Sequence, residues 1–91
     1  MKDQIKDTAT DRIVIRISAL CVLKAGKEMY LELLQKVPDD ELQSLMDILN
    51  LQQAPLTDIC NLVCEKDWLP LLKEREHLVK NATFMHKLNL L

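Results

Sequence analysis

A single glycine, Gly26, serves a chain of 91 residues. Tight hairpin turns and phosphate-cradling loops both depend on glycine, for positive φ or for close backbone approach. This scarcity therefore argues against sheet architectures and excludes P-loop and dinucleotide-binding folds. Leucine fills 18 positions, and the only aromatics are Tyr30, Trp68 and Phe84. Leucine keeps most of its rotamer freedom in a helix, whereas strands draw on Val, Ile, Thr and aromatics. The expected fold class is all-α: a compact bundle of about five short helices in a single domain, residues 1–91, with residues 1–9 flexible. One core is all that such a length supports.

The helix signals are local. Thr8 and Thr10 are candidate caps for a first helix from about Thr10 to Leu23. Gly26 either breaks that helix or caps its end. A second helix is expected from Lys27 to Val37, with Tyr30, Leu33, Leu34 and Val37 on one face and Pro38 as its stop. Asp39, Asp40 and Glu41 then place three carboxylates at a positive helix end, opening a third helix to about Leu51 with Leu42, Leu45, Met46 and Leu49 as its stripe. Thr57 is expected to cap a short helix with Ile59, Leu62 and Val63 inward. Asp67 is expected to cap a longer one ending near Asn81, with Pro70 in its first turn. Within it Trp68, Leu71, Leu72, Leu78 and Val79 face inward, and Lys73, Glu74, Arg75 and Glu76 face water. A last segment from Phe84 to Leu91 offers Phe84, Met85 and Leu88 on one side.

The first helix is the unusual one, because Ile13, Val14, Ile15, Ile17, Leu20, Cys21, Val22 and Leu23 are apolar almost all round. A helix apolar on every side must be covered on every side, and a second copy of the chain is expected to supply part of the cover. The expected homodimer, intertwined or side by side, uses Ile13, Val14, Ile17, Leu20 and Cys21 as its interface. A short strand at Ile13–Ile17 is the competing reading, since four of those five residues are β-branched.

Net charge is −2, with +2 carried by residues 1–30 and −5 by residues 31–58. No basic field drives binding to nucleic acid, and the acidic middle is expected to face solvent or a basic partner. Residues Thr57 to Glu74 have the length of a helix-turn-helix, with Lys66, Lys73 and Arg75 as possible phosphate contacts. Its hinge lacks the usual glycine, and Glu65, Asp67, Glu74 and Glu76 repel a phosphate backbone. DNA is therefore expected to be reached only through a partner. Three cysteines, Cys21, Cys60 and Cys64, are too few and too odd in number for a disulfide framework, so reduced thiols and a cytoplasmic location are expected. Met1 to Asp11 is too polar for a signal peptide. The apolar stretch Ile13–Leu23 is shorter than the roughly 20 residues a membrane span needs.

Catalytic chemistry finds little support. His77 and His86 are the only histidines and neither sits beside a nucleophile in a known pattern. Cys60 and Cys64, with His77, lack a fourth metal ligand and the short spacing of structural zinc sites. No catalytic residue, metal or cofactor is expected. A thiol at Cys60 or Cys64 that cross-links two copies on oxidation is the one redox possibility.

The succession Leu20, Val22, Met29, Tyr30, Leu42, Leu45, Leu62, Val63 and Cys64 resembles the bacterial FlhD family, over residues 20–64. That family shows the same order of a leucine-rich first helix, a Met-aromatic pair, spaced leucines and a Leu-Val-Cys ending. The resemblance implies a helical homodimer that joins FlhC to activate flagellar genes, sharing DNA contact with that partner, and it carries the family's cysteine role to Cys64 as an inter-subunit thiol. The expected function is a non-enzymatic regulator of transcription working through a protein partner. The alternative is a helical adaptor or secretion-type chaperone that shields a hydrophobic helix of a client.

Overall fold

The axis of the molecule is its first helix. A computed structural model describes residues 8–79, which form α1 (Ala9–Val22), α2 (Lys27–Lys36), α3 (Asp39–Ile48), α4 (Leu56–Glu65), α5 (Leu69–Lys73) and α6 (Glu76–Val79), with no strand among them. Asn81 and the segment from Phe84 to Leu91 lie outside the described residues. Helix α1 packs against α3 and α5, while α2 packs against α4.

Thr8 is the cap of α1: its hydroxyl accepts from the Asp11 amide at 3.1 Å, so Ala9 already belongs to the helix. The β-branched run does not become a strand. Each β-branched residue costs a helix up to about 0.7 kcal/mol against Ala, whereas complete burial of such a side chain contributes about 1.5–3 kcal/mol. Ile13, Val14, Ile15 and Ile17 are all 0% exposed within the single chain. Packing decides the element, and it overturns the expectation that a second copy is needed to cover this helix. Ile13, Val14, Ile17 and Leu20 join Tyr30, Leu34, Leu45, Ile59, Cys60, Val63 and Trp68 in one core.

The turn after α1 differs from the sequence reading. Gly26 has a negative φ and stands at the N-terminal cap of α2. The left-handed position is Lys24, with φ 56°, and the Ala25 amide bonds back to the Leu20 carbonyl at 2.9 Å. Nothing lies within 4 Å of where a Cβ at Gly26 would sit, so the glycine itself is not sterically required. The second left-handed residue, Asn50 (φ 63°), ends α3 in the same way, with the Leu51 amide on the Met46 carbonyl at 2.8 Å.

Helix α4 starts one residue before the expected cap. Pro55 is the capping residue and Thr57 lies inside the first turn. Ile59, Cys60 and Val63 face inward and Leu62 is exposed, so the buried stripe is rotated from the expected one. The long helix expected after Asp67 is two short ones. The capping residue of α5 is Trp68 and not Asp67, whose carboxylate accepts from the Leu69 amide at 3.1 Å in the preceding turn, and Pro70 sits in the first turn as expected. The chain then turns at Glu74 and Arg75, where the Arg75 amide reaches the Leu72 carbonyl at 2.9 Å. Trp68 is fully buried and its Nε1 donates to the Val63 carbonyl at 2.9 Å, tying the end of α4 to α5.

These contacts predict that Ile17→Ala lowers unfolding free energy by about 2–4 kcal/mol through a core cavity. The difference from wild type, measured by urea denaturation, stays constant over about a hundredfold range of protein concentration. A difference that grows with concentration would mean that a second copy helps to cover α1.

Candidate partner-binding surface

Helix α1 carries two arginines into its packing with α3, and one carboxylate receives both. Glu41 is 1% exposed, yet its Oε2 accepts from Arg12 Nε at 3.2 Å and its Oε1 from Arg16 Nε at 3.0 Å. Arg12 also reaches Asp40 Oδ2 at 3.4 Å through its terminal nitrogen. An unpaired buried carboxylate is costly, and a pair of guanidinium donors is the compensation that makes this position tolerable. The sequence reading placed Glu41 with Asp39 and Asp40 as helix-start carboxylates in an acidic stretch facing solvent or a basic partner. Arg12 and Arg16 stand one turn apart on one face of α1, and that i, i+4 spacing opposite an acidic helix start was the available signal.

A second ion pair corrects the set of possible phosphate contacts. Arg75 Nε donates to Asp11 Oδ1 at 2.8 Å, and its Nη1 donates to the Leu71 carbonyl at 3.0 Å. Arg75 is thus half-buried and engaged where it was expected to face water. Lys66 is exposed, with its Nζ 5.7 Å from the centre of the Trp68 ring, and Lys73 is exposed on α5. The three do not form a free basic stripe.

The proposed interface of Ile13, Val14, Ile17 and Leu20 is likewise spent inside the molecule, with Cys21 half-buried at its end. Burial leaves those four no surface to offer a second copy. The thiols divide: Cys60 is buried, with its Sγ 3.7 Å from the Lys27 carbonyl, and Cys64 is exposed one turn later. Partial burial first, then the charge and hydrogen bond of Cys60, push the Cys64 pKa upward, against the opposing pull of Lys27. Burial also raises the Tyr30 pKa, with further contributions from the charges of Cys21, Cys64 and Cys60. The described residues contain no group of three His, Cys, Asp or Glu side chains able to hold a metal ion. No helix among them is long and apolar enough to cross a membrane.

Large apolar side chains remain outside the core. Val22, Leu23 and Met29 flank the α1–α2 turn, with Leu23 70% exposed, and Leu62 and Leu69 are exposed elsewhere. Between α3 and α4 lies an open groove of about 500 Å³. Leu42 and Met46 form one wall, Leu56 and Ile59 the other, and Gln53, Ala54 and Pro55 close one end. The chain from Val37 to Glu65, which supplies every residue of this groove, contains Asp39, Asp40, Glu41, Asp47, Asp58 and Glu65 and no Lys, Arg or His. A second apolar depression, with Leu69, Pro70 and Leu72, sits beside α5 and has Lys73 at its edge.

No protein-family model, curated protein or solved structure matches this chain. The residues that carry the FlhD resemblance divide by exposure, with Leu42 half-buried between the extremes. Leu20, Tyr30, Leu45 and Val63 are core, whereas Val22, Met29, Leu62 and Cys64 are exposed.

Two outcomes follow from this electrostatic layout. Glu41→Gln removes the charge that both arginines face and is expected to cost about 2–3 kcal/mol of stability by chemical denaturation. A loss under about 0.5 kcal/mol would reduce the pair to an ordinary surface contact. Because its pKa is raised, Cys64 is largely thiol at neutral pH. Its alkylation by iodoacetamide, followed site by site by mass spectrometry, should have a pH midpoint above the ordinary value of 9.0. Lys27→Ala should move it higher still, because a cation that favours the thiolate is gone. A midpoint below 9.0 would mean that the thiolate is stabilised instead.

Proposed function

We propose that this chain is a small, non-enzymatic, cytoplasmic regulatory protein that modulates transcription through a protein partner, in the manner its FlhD resemblance implies. The observation that carries the reading is a completed core combined with large apolar side chains left at the surface: Leu23 and Met29 are exposed while Ile13, Val14, Ile15 and Ile17 of the central helix are fully covered. Apolar surface that folding does not use is characteristic of a surface used in binding. The acidic run from Val37 to Glu65 favours a basic partner over nucleic acid. A typical specific binder meets about six to ten phosphates. Lys66, Lys73 and an engaged Arg75 are too few cations for that. DNA is accordingly reached through the partner, a basic DNA-binding subunit in a bacterial setting such as flagellar gene control. Self-association stays within the proposal, with an interface other than Ile13, Val14, Ile17 and Leu20.

The groove between α3 and α4 favours a second reading, a helical adaptor or secretion-type chaperone that holds an apolar helix of a client. The two readings part on DNA. With the tagged chain as bait, the retained protein is identified by mass spectrometry, produced separately and titrated with labelled promoter fragments by fluorescence anisotropy. The regulatory reading expects no specific binding by the chain alone at physiological salt and specific binding by the pair. Tight sequence-specific binding by the isolated chain would overturn the partner model and restore the helix-turn-helix reading of Thr57 to Glu74. A client that binds the chain while the pair ignores DNA would favour the adaptor.

A further inference from the structure

Cys60 and Cys64 stand one turn apart on α4, and the binding of a protein partner gives neither thiol a task. Cys60 is 1% exposed, with its Sγ 3.7 Å from the Lys27 carbonyl at the start of α2, whereas Cys64 is exposed. The two side chains are nonetheless in hydrogen-bonding contact. One thiol is thus held in place by the packing of α4 on α2, and the other opens the pair to solvent.

Helical spacing limits what such a pair can do. Side chains four residues apart have Cβ atoms about 5–6 Å from each other, whereas a disulfide holds its Cβ atoms at about 3.5–4.5 Å. Closing an S–S bond here would distort α4 beside Ile59 and Val63, which are core. A bridging ion removes the conflict. Two metal–sulfur bonds of about 2.3 Å, the zinc–thiolate length, set the sulfurs as much as about 4.6 Å apart, which suits the helix as it stands.

The number of ligands then selects the ion. No third His, Cys, Asp or Glu side chain completes a metal-binding group with these two among the described residues, so a tetrahedral zinc site cannot be built. Monovalent copper is soft, prefers thiolates and is satisfied by two of them in a line. The sequence reading set a metal aside for want of zinc's fourth ligand, and a two-coordinate ion needs none of the missing donors. Charge points the same way. Two thiolates and one monovalent cation leave a single negative charge, and Lys27 is the cation whose field reaches Cys64, with Glu65 acting against it.

We infer that Cys60 and Cys64 form a two-coordinate site for monovalent copper where α4 meets α2. Binding forms two copper–sulfur bonds, breaks two S–H bonds and releases both protons to solvent; the ion stays monovalent and nothing is oxidised. The Cys60 thiol gives up its contact with the Lys27 carbonyl, so the start of α2 registers the event. Such a site stands or falls apart from any protein partner.

The test titrates the fully reduced chain with monovalent copper under anaerobic conditions, in competition with a chromogenic chelator of that ion. One equivalent is expected per chain, with X-ray absorption showing two sulfur neighbours and amide shifts concentrated at the start of α2 and the second half of α4. Cys64→Ser, at an exposed position, should weaken binding by at least about a hundredfold, more than the loss of an outlying hydrogen-bond partner commonly costs a metal site. Cys60→Ala should do the same, and Cys21→Ser should bind as tightly as the wild type. If Cys60→Ala does not fold, Cys64→Ser and the sulfur count decide.

No copper retained against the chelator would end the proposal. Unchanged binding in Cys64→Ser, loss of binding in Cys21→Ser, or a coordination shell of three or four neighbours would each overturn it. So would half an equivalent per chain with a dimer formed on addition of copper, because the ion would then join the Cys64 thiols of two copies.

Discussion

Everything in this fold depends on burying the apolar middle of α1. A fourteen-residue helix with Ile13, Val14, Ile15, Ile17, Ser18 and Leu20 all buried keeps only Arg12, Arg16 and Ala19 partly open over its middle turns, so other elements must approach it from most directions. Arg12 and Arg16 are the exception that shapes the packing. They cannot enter an apolar contact uncompensated, and α3 meets them with Glu41, which is itself nearly inaccessible. The pairing sets where α3 lies along α1. Ion pairs of this kind add less net stability than an apolar contact of equal size, but a misplaced α3 would strand a buried carboxylate, so the pair discriminates strongly against other registers.

The contact of α1 with α5 is tied by one hydrogen bond and one further ion pair. Ser18 donates its hydroxyl to the Trp68 carbonyl at 3.2 Å, and Asp11 takes Arg75. These two attachments lie at either end of α5, a helix of five residues that has no buried residue of its own. So short a helix is marginal in isolation. Trp68 before it and Arg75 after it hold the segment to α1, and the break between α5 and α6 coincides with the residue that makes the second attachment.

How much of this could be read from the sequence varies with the range of the interaction that decides each feature. Helix starts and stops set by neighbours were legible: Thr8 as a cap and Pro38 as a stop both act within four residues. The left-handed turn was misassigned because Gly26 is the residue best suited to positive φ, and yet the backbone puts Lys24 there. Glu41 was misread because local rules describe a helix-start carboxylate well, and only α1, 25 and 29 residues away, turns it inward. Leu62 shows the same limitation. Helical periodicity permits either Leu62 or Cys60 beside Ile59 and Val63, and contact with α2 selects Cys60. The expected dimer seam failed for a related reason, since the sequence shows how much of α1 is apolar but not how many sides the rest of the chain can reach.

The candidate site divides along the same line. Its charge was legible, because an acidic middle is a property of composition. Its trough was not, because Leu42 and Met46 on α3 become one wall only when Pro55, Leu56 and Ile59 stand opposite. The segment Leu51 to Pro55 makes that possible. Asn50 turns the chain out of α3 in a left-handed conformation, and Pro55 starts α4 without an amide hydrogen to satisfy, so the two helices diverge from a short connection and leave their facing apolar residues partly uncovered. Closing the trough would require a further apolar element. The large apolar side chains left outside the core among the described residues, Val22, Leu23, Met29, Leu62 and Leu69, are not among those that line it. Leu42, Met46 and Leu56 are accordingly left only half-buried on the facing sides of α3 and α4.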